Sequence, residues 1–440
     1  MNFPQFTVEM LNTLTGAGHT ACLVGGCVRD AVLGLVPHDY DIATSAVPEE
    51  IIALFGEAHC EYYGKAFGTV GVHHAGGFAE ITTFRRDGVY RDGRHPQEVW
   101  FTKDLYEDLA RRDFTCNAMA WSGELIDPFG GVKDLEAGVL RCVGIPQKRF
   151  SEDALRILRA MRFLSRLGLT ADPLTHAAMK AQCYTLSRIS PERIFSELCR
   201  MLMGPHITGV LLAYPEILAV WIPEIRPCIA FEQHSRYHDF TVWEHIARTV
   251  GNAPFERTVR LTMLLHDLAK PRCMTVDARG GHFKGHAPRG AVMADAILRR
   301  LRCENRLRER ICRLIEWHRL TPDTLPLVRR TLGIMGEEEF GMYLQVLDAD
   351  RVSKKRGAPE ARTRIDRAEA LYARVRREGL CCKISDLPVS GQDMLALGLA
   401  GRSVGAALHM LLEDVIEERI PCERGALLAR AERWKEAQGV

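Results

Sequence analysis

Residues 23–44, LVGGCVRDAVLGLVPHDYDIAT, run from an apolar stretch through two glycines and an Arg-Asp pair to two aspartates separated by one tyrosine. The apolar ACLV of residues 21–24 predicts a short strand, and VRDAVLG predicts the helix that follows the Gly25-Gly26 turn. If Asp39 and Asp41 lie in the next strand, their side chains point to the same side, because strand side chains alternate. Carboxylates held together repel, and a divalent cation with a taste for hard oxygen ligands, such as magnesium, makes the arrangement favourable. Phosphoryl transfer uses such ions to clamp attacking and leaving oxygens. Alone, the triplet reads as two solvated acids on an edge strand. Its neighbours shift that balance: the N–H groups of Gly25 and Gly26 and the helix N-terminus would face a triphosphate, and Arg29 adds a fixed positive charge.

At 440 residues the chain exceeds what one core serves, so several domains in series are expected. A composition 47% hydrophobic and 26% charged supplies apolar surface for those cores and excludes disorder. The 58 basic and 56 acidic side chains nearly cancel, so any signal for a polyanionic partner must be local. The 14 cysteines show no CxxC pair and no regular spacing, which points to reduced thiols in a cytoplasmic protein. MNFPQFTVEM lacks the pattern of a signal peptide, and GVLLAYPEILAVW, broken by Pro215 and Glu216, is too short to span a bilayer.

Residues 1 to about 145 are rich in glycine and in β-prone runs such as GTVGVHHAG and FAEITTF. From Phe150 onward the apolar period becomes helical and stays so. The run EDALRILRAMRFLSRLG predicts a helix with Ser151 as N-cap and Gly168 as its stop. On a helical wheel Glu152, Arg156 and Arg159 share one face with Asp153 at its edge, opposite Ala154, Ile157, Leu158 and Met161. The plain reading of Glu152 and Arg156 is an i,i+4 ion pair.

Taken in order, LVGGCVRDAVLG, DYDIAT, RRDFTCNAMA, DPFGGVKDL and SEDALRILRAMRFLSRLG closely resemble the class II tRNA nucleotidyltransferases, the CCA-adding enzymes and the bacterial poly(A) polymerases. That resemblance implies an α+β fold: an N-terminal nucleotidyltransferase head with a DNA polymerase beta-like palm, followed by an all-α neck, an HD-like body and a tail. The expected boundaries are 1–145 for the head, 146–230 for the neck, 231–352 for the body and 353–440 for the tail. Asp39 and Asp41 then match the magnesium ligands and catalytic acids, and Gly26, Arg29 and Arg112 match positions that hold the nucleotide. Glu80 is either a third carboxylate near the metals or a solvent-facing acid. Cys116 departs from the aliphatic residue more usual there.

The same resemblance makes Asp153 and Arg156 the pair that reads the base edge in place of a template, with Arg159 and Arg162 as further nucleotide contacts. An aspartate accepts from the exocyclic amine of cytosine or adenine, and a guanidinium donates to ring nitrogens and carbonyl oxygens. RRDGVYRDGRHPQEVWF, between the two head motifs, reads as a mobile loop, resembling the lever that lets ATP follow CTP.

Further on, His245, His266-Asp267, His286, His318 and either Asp348 or Asp350 follow the order of the HD phosphohydrolases, which implies a second divalent-metal site. LRRLRCENRLRERICR and RVSKKRGAPEARTRIDR are locally basic and offer phosphate contacts, although interleaved glutamates also suit a solvated helix face. The expected partners are tRNA, CTP and ATP, with no membrane; the oligomeric state is open. The expected activity is magnesium-dependent CCA addition to tRNA, with poly(A) synthesis or HD-type hydrolysis of RNA ends as the alternatives.

Overall fold

The computed structural model describes residues 1–64, 68–88, 99–234, 240–277, 280–354 and 359–438. They form two compact units, Met1–Arg226 and Pro227–Val440.

The first unit opens with helix α1 (Gln5–Gly16), followed by strands β1 (Ala21–Val24), β2 (Asp41–Thr44), β3 (Cys60–Gly64), β4 (Thr69–His74) and β5 (Gly77–Thr83). A separate ladder of β6 (Arg85–Asp87) and β7 (Val99–Phe101) comes next, then β8 (Ala120–Trp121) and β9 (Leu125–Ile126). Among the described residues the main sheet has the order β3-β4-β5-β2-β1-β8-β9. Helices α2 (Gly26–Val32), α3 (Pro48–Phe55), α4 (Leu105–Ala110) and α5 (Gly131–Glu136) are spaced along this segment. Strand β1 is buried along its whole length, and Cys22 and Val24 pack with Ala43, Phe84 and Ala118. Each fully covered aliphatic side chain of this kind contributes roughly 1.5–3 kcal/mol.

The register places the acids. Strand β2 runs antiparallel to β1 with Val24 opposite Asp41, and parallel to β5 with Asp41 opposite Glu80. Asp41 is thus the first residue of a central strand, beside the glycine turn that ends β1. Asp39 does not lie in that strand, contrary to the alternation argument: the ladder begins at Asp41, and Asp39 occupies a bend two residues after Pro37, which has no N–H to donate. Of the expected mobile loop, the arms pair as β6 and β7, and residues 89–98 lie outside the described residues.

The rest of this unit is helical: α6 (Pro146–Glu152), α7 (Leu155–Leu167), α8 (Pro173–Gln182), α9 (Pro191–Leu202), α10 (Ile207–Ala213) and α11 (Pro215–Leu218). The single helix expected from residue 151 is two helices. Asp153 is extended at φ −141° and ψ 107°, so Ser151 lies in the last turn of α6, which ends at Glu152, and does not cap α7. Its Oδ1 accepts the Leu155 N–H at 3.0 Å, the local bond by which an aspartate competes with the helical ladder. The predicted stop holds, with Gly168 left-handed at φ 69°.

The second unit contains α12 (Val242–Asn252), α13 (Arg257–Leu265), α14 (His286–Arg300), α15 (Asn305–Trp317), α16 (Leu325–Val352), α17 (Pro359–Glu378), α18 (Gly391–Ala396), α19 (Arg402–Ile416) and α20 (Arg424–Gln438). Helix α16 is interrupted at Gly336, whose φ of 75° and ψ of 169° are not helical. A separate apolar core around Leu411, Met394 and Leu427 holds the last three helices. No described helix is long and apolar enough to cross a membrane.

Candidate active site

In the first unit a cleft of about 540 Å³ opens between the sheet end and helix α7, within the usual size range of small-ligand sites. Asp39, Asp41, Gly26, Arg29, Arg112, Asp153, Arg156, Arg159 and Arg162, the residues expected at a nucleotide site, all line it. Glu80 does not; it is exposed.

The glycine turn comes close to an arginine. Gly25 has φ 72°, and a Cβ there would meet Arg112 Nη1 at 3.0 Å. Arg112 is held by Asp108, whose Oδ2 accepts from its Nη2 at 3.1 Å, and the other oxygen of Asp108 accepts from Arg111 at 2.6 Å. Burial pushes the Asp41 carboxyl up to about 6; Arg112 pulls it down, and Glu80 and Asp39 raise it further. The side chain still opens to solvent on its cleft side, which leaves that face accessible to a ligand. An acid made costly to ionise by nearby acids gains from a cation, so the oxygen set here fits a hard divalent ion.

Deeper in the cleft a hydrogen-bonded chain joins α2 to α7. Arg29 Nη1 donates to Asn117 Oδ1 at 2.7 Å, Asn117 Nδ2 donates to Asp113 Oδ1 at 3.1 Å, and Arg159 Nε donates to Asp113 Oδ2 at 2.8 Å. Arg29 also grips Asp30 through Nε and Nη2. Burial would raise the Asp113 carboxyl, but Arg159 and Asn117 outweigh it and hold it at about 2.

Asp153 and Arg156, the pair expected to face a base, are already bonded within the chain. Arg193 Nη2 donates to Asp153 Oδ2 at 2.9 Å, and Arg156 Nη1 donates to Glu152 Oε2 at 2.6 Å. The plain i,i+4 pair is therefore present, but it is largely buried and Arg156 Nη2 also donates to the Arg111 carbonyl. A carboxylate has about four lone-pair sites, so Asp153 retains acceptor capacity.

The second unit brings its own cluster together from separate elements. His245 lies within α12, His266 caps α13 with Asp267 in the turn after it, His286 opens α14, His318 caps α15 and Asp350 lies near the end of α16. Two triplets, His245–His266–Asp267 and Asp267–His286–His318, each have their ligand atoms within 4.8 Å of one another. His266, His286 and His318 each place Nδ1 on the carbonyl three residues earlier, at 2.8, 2.6 and 2.6 Å. That bond fixes the tautomer and turns Nε2 to the centre, as metal-ligating imidazoles require. The His266 Nε2 and Asp267 Oδ1 atoms, both buried, have no hydrogen-bond partner among the described residues. Burial, with His266 close by, pushes His318 down to about 3, keeping it neutral and fit to coordinate. Asp350 belongs to this cluster, 3.1 Å from His245 Nε2, whereas Asp348 is turned to Arg351 and Arg362. The donor set fits one or two divalent metals.

Among the described residues, several arginines of the first basic run are already paired. Arg299 and Arg308 share Asp295, Arg310 pairs with Glu338, and Arg313 pairs with Glu339. These acids lie outside the run: Asp295 on α14 before it, and Glu338 and Glu339 on α16.

Residues 21–141 match the poly A polymerase head domain, residues 168–228 the probable RNA- and SrmB-binding site of polymerase A, and residues 238–366 the HD domain. The chain carries the domains of these three family models in that order. The CCA-adding enzyme of Lactiplantibacillus plantarum is 46% identical over 213 residues, covering 47% of this chain and 52% of that protein. That of Geobacillus stearothermophilus is 45% identical over 209 residues, 47% of this chain and 51% of the relative. The chain thus spans about half the length of the curated relatives it matches. The crystal structure of the Bacillus stearothermophilus CCA-adding enzyme in complex with CTP aligns with a TM-score of 0.76 at 28% identity, over 100% of this chain and 99% of that one. An α+β architecture, with a mixed sheet in the first unit and helices elsewhere, accords with that likeness.

Asp113, Asn117 and Arg193 also line the cleft, and the buried Asp108 holds Arg112 there, although no local sequence pattern points to them. Asp113 and Asn117 sit inside the quoted RRDFTCNAMA motif, but only the folded geometry reveals their bond. Arg193 carries no local signal, because its partner is 40 residues away. Cys116, the departure from the family pattern, is fully buried with its thiol pushed up to about 12 by burial, so it packs as a small apolar residue.

Proposed function

We propose that the first unit is a magnesium-dependent nucleotidyltransferase that adds CCA to the 3′ end of tRNA from CTP and ATP, without a template. The observation that supports this most directly is the single cleft shared by the two acids, the glycine turn and the arginines of α7. Asp39 and Asp41 would hold the magnesium, which would supply Lewis-acid charge at the reacting phosphate. Arg29 and Arg112 would bind the triphosphate, and Gly25 leaves the backbone bare so that the phosphates can approach. The RNA 3′ oxygen would form its bond to phosphorus as the bond to pyrophosphate breaks, with the arginines stabilising the charge on the departing group. Asp153 would accept from the amine shared by cytosine and adenine, and Arg156 would donate to the ring acceptors.

The four-part division at 145, 230 and 352, the tRNA contacts of the neck and tail, and a cytoplasmic location are parts of the same reading. The matched relatives and the CTP-bound structure support CCA addition over a poly(A) polymerase. The test is labelled CTP and ATP offered separately to tRNAs shortened by one, two or three 3′ nucleotides. CTP alone should add two nucleotides to the tRNA shortened by three and one to that shortened by two, and ATP alone one nucleotide to that shortened by one, with no addition by Asp41→Ala. Long ATP-only tails would convert the assignment to poly(A) synthesis.

A second activity, metal-dependent hydrolysis of phosphate esters at RNA ends, is favoured in the second unit by one observation. Three imidazoles there spend Nδ1 on carbonyls and converge through Nε2 on Asp267. Release of phosphate from a 3′-phosphorylated RNA by metal-loaded protein, abolished by Asp267→Ala, tests it; no release with any of manganese, nickel or zinc would sink it.

A further inference from the structure

The arginines of the cleft share one aromatic ring. The guanidinium carbons of Arg29, Arg159 and Arg162 lie 5.3, 5.7 and 4.8 Å from the centroid of Phe163. Phe163 is buried, packs edge-on against Phe114 at 5.6 Å and lines the cleft. Three like charges gathered in one place repel, and each has its own acid: Asp30 for Arg29, Asp113 for Arg159 and Glu197 for Arg162. Acids alone would pull the guanidinium groups apart, each toward its own carboxylate. The face of an aromatic ring carries negative potential, so the ring gives them a common attraction.

The three arginines do not depend on it equally. Arg29 has Asp30 and Asn117, and Arg159 has two nitrogens on Asp113. Arg162 has the least: its buried Nε lies 3.1 Å from Glu197 Oε2 without forming a hydrogen bond, and it sits nearest the ring.

We propose that Phe163 is a positioning residue whose ring sets the spacing of Arg29, Arg159 and Arg162 for binding a nucleoside triphosphate, with Arg162 the most dependent on it. This rests on the reading of the cleft as a nucleotide site. The competing role is plain packing, and shape alone does not separate the two. Fluorination does, because it drains the ring face while leaving its volume almost unchanged.

The experiment replaces Phe163 in the full chain by mono-, di- and trifluorophenylalanine and measures CTP binding in the presence of magnesium, alongside thermal unfolding. Affinity is expected to fall stepwise with fluorine count, to about ten-fold weaker for the trifluoro ring, at an unchanged unfolding midpoint. Phe163→Leu should bind CTP at least as weakly as the trifluoro ring, and Phe163→Tyr should restore most of the affinity. A flat fluorine series with normal CTP binding by the unsubstituted protein overturns the role of the ring and leaves the nucleotide site standing. An affinity loss that tracks the unfolding midpoint assigns Phe163 to packing and also overturns it. Failure of the unsubstituted protein to bind CTP at all removes both readings.

Discussion

Arg193 reaches across 40 residues of chain to hold Oδ2 of Asp153 at 2.9 Å, while the other oxygen accepts the Leu155 N–H. The carboxylate therefore has a fixed plane before any base arrives. Removing a charge-assisted bond of this kind costs about 1.5–3 kcal/mol. Arg193→Ala should reduce kcat/KM for CTP about ten-fold or more and narrow the preference for CTP over UTP. Single-nucleotide incorporation on a shortened tRNA measures both; an unchanged CTP-to-UTP ratio would show that Arg193 does not orient the acid.

Gly25 cannot be replaced cheaply. Its φ of 72° disfavours any side chain, and a Cβ would press on Arg112 Nη1 at 3.0 Å. Gly25→Ala is expected to lose about 1–2 kcal/mol of stability and most of its incorporation activity. Urea unfolding together with the tRNA assay checks this, and wild-type turnover in the variant would show that the turn has no part in phosphate binding.

Asp113 makes the fold of the first unit sensitive to acid. Its pKa of about 2 lies below the unfolded value of about 3.9, so its stabilising effect is fully present above pH 4 and is lost as the pH falls toward 2. The linked free energy is on the order of 2 kcal/mol at pH 7. Asp113→Asn should therefore unfold more readily than the parent at pH 7, with the gap closing on acidification. Equal unfolding midpoints at pH 7 would contradict the pairing with Arg159.

The histidine cluster should bind metal stoichiometrically. After dialysis against manganese or zinc, elemental analysis is expected to find one or two ions per chain, and fewer in His286→Ala. Full occupancy in Asp267→Ala would rule the cluster out, because Asp267 is common to both triplets. Nucleotide incorporation by His286→Ala should stay at the parent level, since no residue of that cluster lines the cleft of the first unit.

The parts of this fold that show in the sequence are those with a local cause. The strand at residues 21–24 is an unbroken apolar run, and Gly168 ends α7 because glycine tolerates the left-handed conformation. Asp39 and Asp153 were misplaced for a shared reason. Alternation and helical wheels assume that an element already runs, whereas Asp39 precedes the strand that starts at Asp41 and the Asp153 side chain breaks the helical ladder. The choice between Asp348 and Asp350 was beyond any pattern, because helix α16 decides it by which side it turns toward His245. The arginine runs looked free because their acids come from other helices, as Glu338 does for Arg310.

Helix α16 serves two masters through the break at Gly336. Upstream, Arg329 donates to the carbonyls of Cys381, Val415 and Ile416, fastening that half to the C-terminal core; downstream, Asp350 contributes to the histidine cluster. An unbroken helix would transmit any twist of one end rigidly to the other. With a glycine at φ 75° between them, a strain in the tail can be absorbed by one pair of torsions, and the carboxylate near the far end keeps its aim.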